Sequence, residues 1–186
     1  MTLAIHQPNF MPWMPYFEKV RQADIFVVLN HCQFRKNNFQ NRFNIGDKWY
    51  TLGVIKGNDP IIDKKYKNPK EDWETIKRKL PQYKSILDEF DDLISERLWE
   101  TNNKIIKLIA SKLNISTTIE TDYPTNKKRS ERLLDICKKF KATNYLSGPS
   151  GRNYLDFNIF KEENIKVTFP DDSKSIKKPI LQCLTK

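Results

Sequence analysis

The stretch Ile5–Leu29, IHQPNFMPWMPYFEKVRQADIFVVL, decides how this chain is read. Leu3–His6 is a short apolar run closed by His6, and a loop carrying Pro8, Pro12 and Pro15 follows it. The spacing then predicts an amphipathic helix over about Pro15–Ala23 and a second apolar strand over Ile25–Asn30. Strand, loop, helix and strand in that order is the pattern of a βαβ unit. In open α/β sheets, ligands sit outside the carboxyl ends of such strands, often against a helix N-terminus. The loop beginning at His6 should lie there. Its prolines lack backbone donors and hold it in extended turns, a rigidity suited to a preorganised polar site near His6 and Asn9.

The far end of the chain echoes this form. A strand is expected at Asn144–Leu146, then Ser147-Gly148-Pro149-Ser150-Gly151, a helix over about Asn153–Glu163 and a strand over Ile165–Phe169. In the middle, Trp49–Ile55 alternates as a strand should, and a Gly46-Asp47 turn joins it to His31–Ile45 as a hairpin. Lys56–Pro69 is polar and reads as a mobile loop over one sheet edge. Residues 70–113 read as a helical insertion, with Leu93, Leu98, Ile105, Ile106, Ile109 and Leu113 forming an apolar stripe. Thr117–Thr121 is a short β-branched strand, and a helix opens at Ser130-Glu131 with Cys137 on its apolar face as a packed thiol. The expected fold is therefore a single α/β domain over residues 1–169. It has a mainly parallel central sheet with flanking helices, Rossmann-like or nucleotidylyltransferase-like, plus the helical insertion. Residues 170–186 read as a polar tail of weak order with a small apolar patch at Ile180–Leu184.

Composition narrows the function classes. A chain of 186 residues with 38% hydrophobic content is long enough to bury a core. It has no apolar run of about 18 residues, so no membrane span is expected. It opens without a basic segment followed by an apolar one, which predicts a cytoplasmic protein. The three cysteines lie far apart with no C-x-x-C pair, so reduced thiols and no metal site are expected. The net charge of +10 comes from 33 cationic residues, of which only eight are Arg. A Lys-rich balance argues against specific nucleic-acid recognition and leaves small anionic ligands favoured.

Several residues are candidates for chemistry. An imidazole at His6 suits a general base or a contact to a phosphate oxygen; the structural alternative is a histidine that only fixes the turn. Asn9 lies in the same loop. Trp13 and Tyr16 either pack the helix start or floor a ligand ring. Gln33, Arg35, Asn41 and Arg42 follow the second strand without a local acid and form either an anion-binding face or a charged hairpin edge. Ser147, Gly148, Ser150 and Gly151 offer backbone N–H groups and hydroxyls to an anion, although a tight turn explains them equally, and Tyr154 follows closely. The segment lacks the lysine and spacing of a Walker loop. Neither G-x-S-x-G nor H-E-x-x-H occurs. His31 and Cys32 are neighbours, and adjacent strand residues point to opposite faces, which argues against a Cys–His dyad.

These residues resemble the WbqC-like protein family of bacteria. The resemblance is carried by IHQPNFMPWMPYFEKVRQADIFVVLNHCQF, by Asn41-Arg42 with a following W-x-T-L-x-V, by ATNYLSGPSGRNYLD and by an I-x-V-x-F strand. It spans residues 3 to about 169. It implies a link to surface polysaccharides of the O-antigen type, and some members are named as glycine or aminoacyl transferases. The implied site is His6, Pro8, Asn9, Pro12, Trp13, Tyr16, Gln33, Asn41, Arg42, Ser147, Gly148, Ser150, Gly151 and Tyr154. Asn30-His31 stands where members usually carry an acidic residue, Pro15 replaces a small residue, and the tail lacks the family's aromatic, Pro-rich ending. The opening also looks similar to nucleotidylyltransferase folds, which hold nucleotide phosphates at this position, although their second loop histidine is missing. The expected activity is thus acyl or aminoacyl transfer to a sugar precursor, with a nucleotide-linked sugar or acyl donor as the anionic substrate. The alternatives are a nucleotide-binding hydrolase using the same cleft and a non-catalytic module binding RNA or another anionic polymer.

Overall fold

The computed structural model describes residues 1–170 and 177–185. The chain runs β1 (Thr2–His6), α1 (Met14–Arg21), β2 (Ile25–Val28), β3 (Arg42–Ile45), β4 (Lys48–Thr51), α2 (Pro69–Lys79), α3 (Lys84–Asp88) and α4 (Leu98–Lys112). It continues through β5 (Thr118–Thr121), α5 (Arg129–Lys139), β6 (Asn144–Leu146), α6 (Phe157–Glu162), β7 (Lys166–Thr168) and α7 (Ile180–Leu184). Five strands form one sheet in the order β5-β2-β1-β6-β7, and every pairing is parallel. The expected α/β fold is the one observed. β3 and β4 form a separate antiparallel hairpin turned at Gly46, whose φ of 57° suits glycine.

Strand alternation sends side chains to two cores. Ala4, Phe26 and Val28 join Phe17 and Val20 of α1 and Ile105, Ile106 and Ile109 of α4. Leu3, Ile5 and Val27 join Leu133, Ile136 and Cys137 of α5 and Phe160 of α6. The sheet is covered on both faces, which is why its central strands read as unbroken apolar runs. The chain winds outward from β1 through β2 to β5, then returns to the other side of β1 for β6 and β7. The direction of winding therefore reverses between β1 and β6, and their carboxyl ends flank a topological switch point.

Several expectations change in detail. The helical region of 70–113 divides at Pro81, where the proline predicts a new turn, and again before Leu98, and its last member, α4, is the crossover helix between β2 and β5. Segment 56–69 is not a free loop. Ile61 and Lys64 are buried, and the backbone N–H groups of Ile61 and Ile62 donate to the carbonyls of Cys32 and Asn30. The α6 helix begins later than expected, at Phe157, because a 3-10 turn takes Pro149–Asn153 and Asp156 then caps the helix by accepting from Asn158 N. In the tail, Ile180 and Leu181 are buried in the larger core, and Met14 N donates to Lys178 O at 3.0 Å. The weak apolar patch is thus the contact face of α7. The tail's residues 171–176 and 186 lie outside the described residues.

Candidate functional site

The switch point is built from three pieces: the end of β1, one turn of α1 and the turn after β6. The β1–β6 register ends with Ala4 opposite Leu146, and His6 and Gly148 each follow two residues beyond that last pair. His6 Nδ1 lies 3.0 Å from Gln7 O, and its ring meets Tyr16 edge-on at 4.9 Å between centroids. With Nδ1–H donating to that carbonyl, the Nε2 lone pair is left for a ligand. Burial, helped by the nearby charge of Lys19, lowers the His6 pKa to about 4. The ring is therefore neutral at physiological pH.

Lys19 is the residue that local sequence reading missed. It sits on α1 three residues after Tyr16, on the face that also buries Val20, and only 4% of it is exposed. Its Nζ donates to Ile5 O at 2.7 Å and makes no ion pair among the described residues. Burial alone lowers its pKa to about 7. On the other side, a Cβ placed on Gly148 would stand 4.0 Å from Lys19 Nζ. Two contacts thus join the His6 strand to the Gly148 turn. The signal in the sequence was a lysine inside an otherwise apolar helix stripe.

The turn after β6 is closely packed. Ser147 is fully buried, and Gly151 abuts it: a Cβ on Gly151 would fall 2.1 Å from Ser147 Oγ. Only glycine fits there. Ser150 and Tyr154 are exposed on the same turn, and the Arg35 charge is near enough to Tyr154 to oppose the upward shift that burial gives its phenol. Arg35, from beyond β2, and Tyr154, from beyond β6, are therefore within electrostatic reach of each other.

The Pro-rich loop is fixed by partners from far along the chain. Gln40 Nε2 donates to Gln7 Oε1 at 2.7 Å, Phe10 N donates to Phe39 O, and Asn102 Nδ2 of α4 donates to the carbonyls of Pro8 and Gln40. Buried Met11 turns the loop with a φ of 47°, a left-handed conformation that costs a non-glycine residue on the order of 1 kcal/mol. Asn9 is buried in this loop, and Trp13 is exposed at its end.

Other expected residues are engaged elsewhere. Asn41 Nδ2 donates to Leu52 O and pins the hairpin. Arg42 lies over the Trp49 ring at 4.2 Å and donates to Asn37 O. Gln33 Nε2 donates to Asn58 Oδ1 and Asp59 O. These three organise the hairpin and the 56–66 segment, and among the described residues none of them hydrogen-bonds to His6 or Gly148.

A second cluster lies one strand over. Asp122 immediately follows β5, and its side chain is fully buried. Its carboxylate accepts from Asn30 N at 2.7 Å, from His31 N, from His31 Nδ1 at 3.0 Å and from Arg132 Nη2. Arg132 also donates through Nη1 to His31 O at 2.9 Å. A carboxylate therefore does reach the Asn30-His31 position, from across the sheet. Gln7 Nε2 donates to Cys32 Sγ at 3.2 Å and ties this cluster to the His6 loop. Burial holds the Cys32 thiol above its usual pKa, and Cys137 is fully buried with its thiol pushed up to about 12.

Two surface hollows of about 270 and 380 Å³ lie at Asn68–Glu71 with Ile94–Glu96 and between Phe157 and Val167; neither is lined by a residue of these clusters. Among the described residues, no helix is long and apolar enough to cross a membrane, and no group of three or more His, Cys, Asp or Glu residues is placed to hold a metal ion.

The sequence profile of the WbqC-like protein family matches residues 7–178. A protein of Mycobacterium tuberculosis described as "Uncharacterized protein Rv1507c" is 31% identical over 189 aligned positions, covering 91% of this chain and 81% of that one. No solved structure matches.

Proposed function

The chain belongs to the WbqC-like protein family, and from that premise we propose that it transfers an acyl or aminoacyl group to a sugar precursor of a bacterial surface polysaccharide. In this reading a nucleotide-linked diphosphate sits between the carboxyl ends of β1 and β6. The observation that carries the reading is Lys19, a buried lysine at the switch point whose Nζ meets a backbone carbonyl and, among the described residues, no carboxylate. Burying a cation without a counter-ion is costly, and an anion arriving beside it removes that cost. The Ser147–Gly151 turn supplies the opposite wall: Ser147 N and Gly151 N donate to Thr168 O and Gly148 O, and Gly148 N and Ser150 N are the donors that suit phosphate oxygens. Arg35 and Tyr154 flank the cleft and suit the sugar or nucleoside end of the ligand.

His6, neutral and with Nδ1 on Gln7 O, serves here to orient the ligand through Nε2. With a pKa near 4 it is a weak proton acceptor, since a general base works best with a pKa near the operating pH. Asn9, in the same rigid loop, adds a second polar contact.

Calorimetry with a panel of nucleotide sugars and free nucleoside diphosphates tests the site. Binding by at least one nucleotide sugar is expected, with roughly tenfold or greater loss in Lys19→Met. Product analysis with an activated acyl donor, with and without an amino sugar, then separates transfer from hydrolysis in the same cleft. Absence of binding across the panel overturns the diphosphate site, and acyl release independent of the acceptor overturns the transferase reading.

A further inference from the structure

His31 is oriented as the histidine of a carboxylate–histidine pair is oriented. Its Nδ1 is 3.0 Å from Asp122 Oδ1, and the same carboxylate accepts the backbone N–H groups of Asn30 and His31. Arg132 then bridges Asp122 and His31 O, which balances the buried anion and fixes the backbone that carries the ring. A carboxylate so placed accepts the Nδ1–H and leaves Nε2 with its lone pair outward. The ring is 24% exposed, and Nε2 has no hydrogen-bond partner among the described residues. Two buried polar atoms beside the pair, Asn30 Oδ1 and Arg132 Nε, likewise lack partners among the described residues.

The pair stands at the same carboxyl edge as the switch point. Leu29 N donates to His6 O, and Gln7, next to His6, touches Cys32, next to His31. The Cys32 thiol and the Tyr123 phenol stand near the same cluster, and burial raises the pKa of both.

We propose that His31, positioned by Asp122 and Arg132, is the general base of the transfer reaction, with Nε2 as the proton acceptor. This rests on the transferase reading above. The donor is an acyl thioester or oxygen ester, and the acceptor is an amine or hydroxyl of the sugar. The acceptor heteroatom attacks the carbonyl carbon and its proton passes to His31 Nε2. As the tetrahedral adduct collapses, the bond from carbon to the sulfur or oxygen leaving group breaks, and the same proton returns to that leaving group. No other proton donor or oxidant is needed.

The chain holds two histidines, so both can be followed individually. Diethyl pyrocarbonate acylates an imidazole nitrogen that bears a free lone pair, and mass spectrometry assigns the modified site. In the full chain, His31 is expected to react roughly tenfold or more faster than it does in Asp122→Asn, because loss of the carboxylate releases the wrong tautomer. Equal rates in the two proteins overturn the proposal.

Nitrogen-15 NMR of histidine-labelled wild-type protein gives a second reading that needs no variant to fold. A neutral His31 protonated on Nδ1 supports the pair, and one protonated on Nε2 overturns it. In the transfer assay, His31→Gln is expected to keep nucleotide-sugar binding and to lose roughly 100-fold or more of the rate. Retention of the rate overturns the base assignment. Failure of every nucleotide sugar to bind wild-type protein would instead overturn the diphosphate site and leave the reagent and NMR results to decide the pair.

Discussion

At the β1–β6 junction a buried cation, Lys19, meets one backbone carbonyl, whereas at the β2–β5 junction a buried anion, Asp122, is met by two backbone N–H groups, an imidazole and a guanidinium. Both lie at the carboxyl edge of the same sheet, where strand ends leave backbone groups for a ligand. The difference is one of completion. Asp122 has its partners already, so its region holds a shape and orients a ring. Among the described residues Lys19 has an incomplete set, so its region carries a cost that an arriving anion lifts. The β2–β5 junction is suited to proton handling and the β1–β6 junction to anion capture.

The contrast predicts opposite signs for removing the two charges, and the largest effect belongs to the completed one. Asp122→Ala strips a buried charge from Arg132 and leaves two backbone N–H groups unpaired. It should lower unfolding free energy by about 3–5 kcal/mol in urea titrations. A loss below about 1 kcal/mol would show that water already solvates this cluster.

Next comes the acid limb. His6 has its folded pKa lowered to about 4 against an ordinary value of 6.5. As pH falls through that window, the unfolded chain takes up a proton that the folded ring refuses, so stability present above pH 6.5 is lost on the way to about pH 4. The term amounts to about 3 kcal/mol at most. Melting curves of His6→Gln should be flatter across this range than those of wild type, and parallel curves would contradict the burial of the ring.

Lys19→Met should act in the opposite direction from Asp122→Ala. At pH 7 an unfolded lysine is protonated, while the folded one has its pKa lowered to about 7. Removing the amine should raise stability by about 1–3 kcal/mol after the lost Ile5 bond is counted. The same variant should lose diphosphate binding. A destabilised Lys19→Met would mean that the amine has a partner of its own and that the contrast with Asp122 is unfounded.

The smallest effect is expected at Arg42→Ala. Its guanidinium is engaged with Trp49 and Asn37 O, so the change should cost about 0.5–1 kcal/mol and leave nucleotide-sugar affinity within about twofold. A tenfold drop in affinity would move the anion site toward the hairpin.

The fold was largely legible because parallel strands buried on both faces leave continuous apolar runs, as in Leu3–Ile5 and Ile25–Val28, and prolines and glycines mark the loops beyond them. His6 and the Ser147–Gly151 turn were legible for the same reason, as the ends of two such runs. The start of α6 was not, since a 3-10 turn and an α-helix begin with the same residue types. The Asp122 cluster was hidden by distance along the chain: Asp122 meets Asn30 and His31 across 92 and 91 residues, and Arg132 meets the His31 carbonyl across 101. Strand alternation excluded Cys32 as a partner for His31 but pointed to no other. Lys19 was in plain view, but a single lysine near a helix end is ordinarily solvated, and only the packing of α1 against β1 buries it.

Proton linkage on ligand binding tests the central claim most directly. At pH 8 Lys19, with its pKa lowered to about 7, is mostly neutral, and a diphosphate beside it should return it to the charged form. Calorimetric titration of a nucleotide sugar in buffers of different ionisation enthalpy should therefore show uptake of about one proton per site in wild-type protein. In Lys19→Met, any residual binding should show no uptake. Binding that takes up no proton in wild type, or an uptake that persists in Lys19→Met, would contradict the placement of the anion at the β1–β6 junction.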